Sequence, residues 1–151
     1  MKIFNLKICT GTLIILVLTL SSFNNQTSLK IWSFDCKRIV RNRTVKEDEL
    51  THEKLISIIN ASYVDKVVLA FVKISHDTIY VKIKDSEYLT ERMGTCGADD
   101  YLISATFSLT ELKNISYANF DFEIGDHASP GTYSRKYYWD WIEENKRLNN
   151  K

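Results

Sequence analysis

The sequence predicts an α+β domain: a small mixed sheet with two helices packed on one face, followed by a C-terminal helix. Three observations carry that prediction. Two neighbouring runs, 67–74 and 78–83, have the length and β-branched content of a strand hairpin. Apolar residues recur at helical spacing in 52–60 and again in 98–112. An alternating run, 115–124, ends at Gly125. The predicted order is β, α, β, β, α, β, α, which suits a sheet covered by helices.

Each element has a local reason. Ser28 to Phe34 alternates, with Leu29, Ile31 and Ser33 on one side and Lys30, Trp32 and Phe34 on the other. A charged connection follows, with an edge strand expected around Lys37 to Val40, where charge discourages pairing with other chains. Thr51 or Asp48 is placed to cap a helix through HEKLISIIN; Leu55, Ile58 and Ile59 share one face, Glu53 favours the helix dipole, and Asn60 is read as the end. The near-continuous run VVLAFVKI, Val67 to Ile74, reads as a strand buried on both faces. After the turn Ser75-His76-Asp77, TIYVKI points Ile79, Val81 and Ile83 inward. Gly94 and Gly97 then make a flexible turn, with Asp99 and Asp100 in the first turn of a helix whose stripe is Ala98, Leu102, Ala105, Leu109 and Leu112. Lys113-Asn114 turns the chain into ISYANFDFEI, with Ala118, Phe120, Phe122 and Ile124 inward. GDHASPGTY reads as a loop in which Pro130-Gly131 suits a type II turn. Ser134 is placed to cap a last helix with Tyr138, Trp141 and Ile142 on one face.

The chain has 151 residues, 44% apolar and 26% charged, enough for one domain and a short extra segment. Its net charge is +1, and no dense basic block supplies the phosphate-neutralising term that nucleic-acid binding needs. Lys2 and Lys7 precede an apolar run, Ile8 to Leu20, and then a polar exit. That run is short of the roughly 20 residues of a comfortable membrane span. Residues 1–24 therefore read as a signal peptide, with an uncleaved N-terminal anchor as the alternative. Both place the rest outside the cytoplasm: periplasmic, at the cell surface or secreted, touching membrane only through the N-terminal segment. Export favours pairing Cys36 with Cys96, on the order of 4 kcal/mol by chain entropy.

From Thr78 onward the residues resemble the GerMN-type family of sporulation and spore-germination domains. The carrying phrases are Ser108-Leu109-Thr110-Glu111-Leu112 at the end of a helix, then Ile115, Ala118, Phe120 and Gly125 on a strand, preceded by the hairpin ending TIYVKIKDSEYL. The likeness runs from about Leu29 to Gly125 and is clearest over 78–125, within a domain drawn at 28–125. It departs at Asp85-Ser86, at Cys96 and in the loop and aromatic helix of 126–151. It implies a compact sheet with packed helices, like the ring-building modules of envelope complexes, acting by assembly or binding with no catalytic residues to carry over. It also points to bacteria, so the N-x-Ser/Thr triplets at Asn25, Asn42, Asn60 and Asn114 are given no role.

Candidate chemistry concentrates from Cys96 onward. Cys96 at a helix start has the setting of a lowered thiol pKa, and with His127 and a carboxylate it would make a hydrolase or transferase. The same residue serves equally as half of a disulfide or as a free structural thiol. His52, His76 and His127 lack metal-ligand spacing, so neither a metal nor a cofactor is expected. Asp126 and His127, in the loop after the last predicted strand, are candidate binding residues. So are Tyr137, Trp139 and Trp141, which cannot all face one side of a helix; they suit docking on the domain or contact with a partner protein or wall polymer. The expected function is thus an exported, non-catalytic envelope domain, and its competitor is the Cys96–His127 enzyme.

Overall fold

The computed structural model describes residues 29–63 and 66–149. The signal or anchor segment 1–24 lies outside the described residues. In chain order the elements are β1 (Trp32–Phe34), β2 (Ile39–Arg41), α1 (His52–Ser62), β3 (Leu69–Ser75), β4 (Thr78–Ile83), α2 (Gly94–Leu109), β5 (Tyr117–Asp121), β6 (Gly131–Ser134) and α3 (Arg135–Asn149). The fold is α+β. A mixed sheet runs β3-β4-β5-β6, with β4 and β5 parallel and the other pairs antiparallel, and β1 and β2 form a separate antiparallel ribbon. Parallel β4 and β5 need a crossover, and α2 supplies it.

Leu69, Ile79, Val81, Ile83, Ala118 and Phe120 on the inward face of the sheet are all buried. α2 packs against β5 and β6 of that sheet, against the β1 strand of the ribbon and against both other helices. Its residues Tyr101 to Leu109 are consequently buried without interruption. The one-stripe reading of this helix is too narrow: it is enclosed on all sides, which is why Ser104, Thr106 and Ser108 lie in the core. Two nearby hydroxyls are satisfied by the helix itself, Ser108 Oγ donating to Ser104 O at 2.6 Å and Thr110 Oγ1 to Thr106 O at 2.7 Å. Enclosing Ile103, Phe107 and Leu109 contributes roughly 1.5–3 kcal/mol each.

Two polar knots hold the layers in register around α2. At one end the Asp100 carboxylate accepts from Phe34 N–H (2.8 Å), Tyr63 Oη (2.8 Å) and Ser104 Oγ (3.0 Å), and pairs with Lys30. The Lys30 ammonium also lies 4.4 Å from the Tyr63 ring centroid. Burial, and then the Asp100 charge, push the Tyr63 phenol far above its ordinary range. At the other end Arg135, the first residue of α3, donates to Phe107 O (2.7 Å), Thr110 Oγ1 (2.8 Å) and Glu111 Oε1 (2.9 Å), so a guanidinium covers the carbonyl end of α2. Glu111 is shared with Arg41 of β2 and with the Trp32 indole N–H of β1, each at 2.9 Å.

Several sequence expectations are corrected. β3 is not buried on both faces; it is the edge strand, with Val72 at a bulge between Phe71 and Lys73 and with Phe71, Val72 and Ile74 exposed. Its apolarity extends past the cover that α1 supplies to Val67 and Leu69. Asn60 does not end α1, which runs to Ser62 under a Thr51 cap; its amide instead grips Leu69, accepting from the backbone N–H (2.8 Å) and donating to the carbonyl (3.0 Å). α2 starts at Gly94, whose φ of +70° suits glycine, so Asp99 and Asp100 lie beyond the first turn. β1 and β5 are shorter than expected, β2 sits one residue later, and Leu29 and Ile124 face solvent. The loop 125–133 contains an unforeseen strand, β6, and Gly131 opens it in extended conformation where a type II turn was expected.

The Asp100 knot yields a stability prediction. Asp100→Ala strips the acceptor from three donors and leaves Lys30 unpaired, so it should lower unfolding free energy by about 3 kcal/mol. Asp100→Asn, which keeps an acceptor, should cost less; urea titrations of the two variants check the order.

Candidate functional site

The segment after β5 is held in place from both sides. A π-helical turn, Tyr88–Arg92, buries Leu89 and Thr90 beneath it. His127 N–H donates to Thr90 O at 2.9 Å, Asp126 N–H to Glu91 Oε1 at 3.3 Å, and Gly125 N–H to Ala128 O at 3.2 Å. Gly125 is obligatory here, because a Cβ would stand 2.1 Å from Glu91 Oε1 and 2.6 Å from Thr90 Cβ. On the far side Tyr133 of β6 donates its hydroxyl to Ser129 O at 2.7 Å. The loop is therefore a rigid presenter of Asp126 and His127. His127 reaches the start of α2, where Nδ1 and Thr95 Oγ1 share a hydrogen bond of 3.2 Å.

α3 forms the facing wall. Ser134 Oγ caps it by accepting from Tyr137 N–H at 3.1 Å, and the Arg135 anchor sets its direction. Tyr138 and Ile142 turn into the core. Tyr133 stacks on Tyr138 with ring centroids 5.5 Å apart and meets Tyr137 at 5.4 Å. Trp141 packs edge-on against Phe34 of β1 at 6.0 Å.

Between loop and helix lies a cleft of about 270 Å³. Its walls carry Tyr133, Tyr137, Tyr138 and Trp141, and its charged groups are Asp99 of α2, Asp126 and the titratable His127. Among the described residues no lysine or arginine lines it. Asp99 is partly buried, and among the described residues it has neither an ion-pair nor a hydrogen-bond partner. Burial accordingly raises its carboxyl pKa. The Tyr133 and Tyr138 phenols are also raised, first by burial, then by neighbouring tyrosines and by the Asp99 charge.

Four sequence candidates, Asp126, His127, Tyr137 and Trp141, meet in this cleft. Trp139 does not: it projects from another face of α3 and packs edge-on against Phe107 at 5.7 Å, still 44% exposed. Asp99 and Tyr133 were not singled out as binding residues. Asp99 carries no sequence signal beyond a helix-start carboxylate, and Tyr133 was hidden inside the supposed loop. Cys36 and Cys96 are joined as a disulfide with Cα atoms 5.6 Å apart across a separation of 60 residues, tying the β1–β2 turn to the first turn of α2. The His127 ring is hydrogen-bonded to Thr95, the neighbour of Cys96. The other imidazoles are dispersed, His52 against Phe71 and His76 beside Ser75. Among the described residues no group of three His, Cys, Asp or Glu side chains is arranged to hold a metal. No protein-family model, curated protein or solved structure matches the chain.

Two predictions follow from the geometry of the cleft. Gly125→Ala should destabilise the protein by about 1–3 kcal/mol and shift the loop, seen in thermal melts and in His127 resonances. Asp99 has a raised folded-state pKa, so its ionisation opposes folding above that pKa and has no effect well below the ordinary 3.8. Asp99→Asn should therefore raise the melting temperature at pH 7, and the gain should vanish near pH 3.

Proposed function

We propose that this chain is an exported, non-catalytic envelope domain that binds a protein or wall partner through the cleft between the 125–130 loop and α3. The observation that carries the reading is the convergence of Asp126, His127, Tyr137 and Trp141, with Asp99 and Tyr133, on one concave and rigidly held site. Concave sites walled by aromatic rings with a few polar groups suit recognition, and rigid aromatic side chains make efficient contact anchors. The signal-like start and the resemblance to assembly modules point the same way. They support an envelope location and a role in binding or assembly.

The thiol-enzyme reading has little support in this geometry. A thiolate is needed for attack, and the Cys96 sulfur is bonded to Cys36. Thr95 and His127 make a hydroxyl–imidazole contact, and among the described residues no third side chain hydrogen-bonds and orients that imidazole.

Crosslinking of the exported protein in its cells, followed by capture with variants, tests the proposal. Tyr137→Ala and His127→Ala should each cut partner recovery at least tenfold, whereas Trp139→Ala should leave it near wild type. A thiol assay on native and denatured protein should find neither Cys36 nor Cys96 free. A free Cys96 thiol whose alkylation abolishes a hydrolytic or transfer activity would overturn the proposal.

A further inference from the structure

The chemical character of the cleft narrows what it binds. Its two acidic side chains are Asp99 and Asp126, and among the described residues no lysine or arginine lines it to balance them. Asp99 is the informative one. Elsewhere in this protein a partly buried carboxylate is paired: Asp100 with Lys30 and three donors, Glu111 with Arg41, Arg135 and Trp32. Asp99 shares their setting and lacks their partners. A charge held half out of water without compensation weakens the fold, and such groups concentrate where a ligand completes them. The walls beside it are aromatic side chains, Tyr133 and Tyr137 with centroids 5.4 Å apart and Trp141 also lining the cleft. Aromatic faces next to a carboxylate attract cations through the ring quadrupole and through charge together. They repel phosphate and carboxylate ligands, and a neutral sugar would offer Asp99 hydroxyl donors without a counter-charge.

We propose that the cleft receives the ammonium group of a lysine-type side chain displayed by a partner polypeptide. The ammonium sits between Asp99 and Asp126, with its alkyl stem along Tyr133 and Tyr137. The size fits: about 270 Å³ seats one side chain and not a folded surface or a drug-sized ligand. The outlet fits as well, since Tyr137 and Asp126 are exposed and let the stem continue into a chain outside. This inference rests on the cleft being the binding site and adds the chemistry of what enters it.

The test titrates three probes into the whole exported protein, read by chemical-shift changes at Asp99, Tyr133 and Tyr137: acetyl-Gly-Lys-Gly-amide, the same peptide acetylated on the lysine Nε, and butylammonium chloride. The lysyl peptide should perturb the cleft resonances and bind at least tenfold more tightly than its acetylated twin. Asp99→Asn and Tyr137→Ala should each weaken it at least tenfold, with thermal melts confirming that both variants fold. Trp139→Ala should bind as wild type does. Equal binding of the acetylated peptide, or undiminished binding to Asp99→Asn, overturns the inference, and so does binding of butylammonium without the lysyl peptide. If partner capture still depends on Tyr137 while no ammonium probe binds, the cation inference fails and the binding function stands; if capture ignores Tyr137, the function fails independently of the probes.

Discussion

The enclosure of α2 is the constraint from which the rest of this structure follows. Surrounded by a sheet, a ribbon and two other helices, the stretch Tyr101–Leu109 has no solvent face to hold its polar groups. Most of the polar groups the helix carries are answered within the fold, and Asp99, the Tyr101 hydroxyl and Thr106 Oγ1 are the exceptions among the described residues. The hydroxyls of Ser108 and Thr110 are answered by the backbone of the helix itself, and Asp100 by a lysine, a tyrosine, a serine and the backbone of β1. The carbonyl end is answered by Arg135. Each answer fixes one neighbouring element, so a single buried helix sets the positions of β1, α1 and α3. The Cys36–Cys96 bond adds a covalent tie at the same helix start, on the order of 4 kcal/mol by chain entropy.

The cleft is a by-product of that anchoring. Arg135 fixes where α3 begins, and the helix period then carries Tyr137, Tyr138 and Trp141 along the flank of α2. The opposing wall is set by Gly125, which lets the chain pass against Thr90 and Glu91 where no larger residue fits. Rigid walls matter energetically. A partner entering a preformed site loses less ordering entropy than one that must organise a loop. Asp99 lies one residue before Asp100 on the same helix, yet the two meet opposite fates. Asp100 faces the ribbon and its donors, whereas Asp99 lines the aromatic cleft, where among the described residues no group hydrogen-bonds it.

Much of the architecture was legible because it is written in short-range pattern. The hairpin at 67–83 is paired antiparallel, and the Thr51 and Ser134 caps sit at the starts of α1 and α3. The inward residues of β4 and the first three of 115–124 are buried as their alternation requires. The failures share one cause. Continuous apolarity at Val67–Ile74 cannot distinguish a central strand from an edge strand that outruns its cover. A four-residue strand at Gly131–Ser134 has too few residues to show a period, and only its pairing with β5 makes it a strand. Asn60 has the composition of a helix end, and its amide was taken by a strand nine residues on.

The sequence by itself determined the α+β class, most element locations, the cysteine pair worth testing and four of the residues that line the cleft. Those features depend on neighbours a few positions away, and local spacing is enough to express them. Only the tertiary structure decided that Asp99 has no partner among the described residues, that Tyr133 joins Tyr137 and Tyr138, and that Trp139 turns elsewhere. Those outcomes depend on how α2, β6 and α3 are rotated about their axes when they pack. That rotation is set by contacts between residues remote in the chain, such as Arg135 with Phe107, which no local pattern contains.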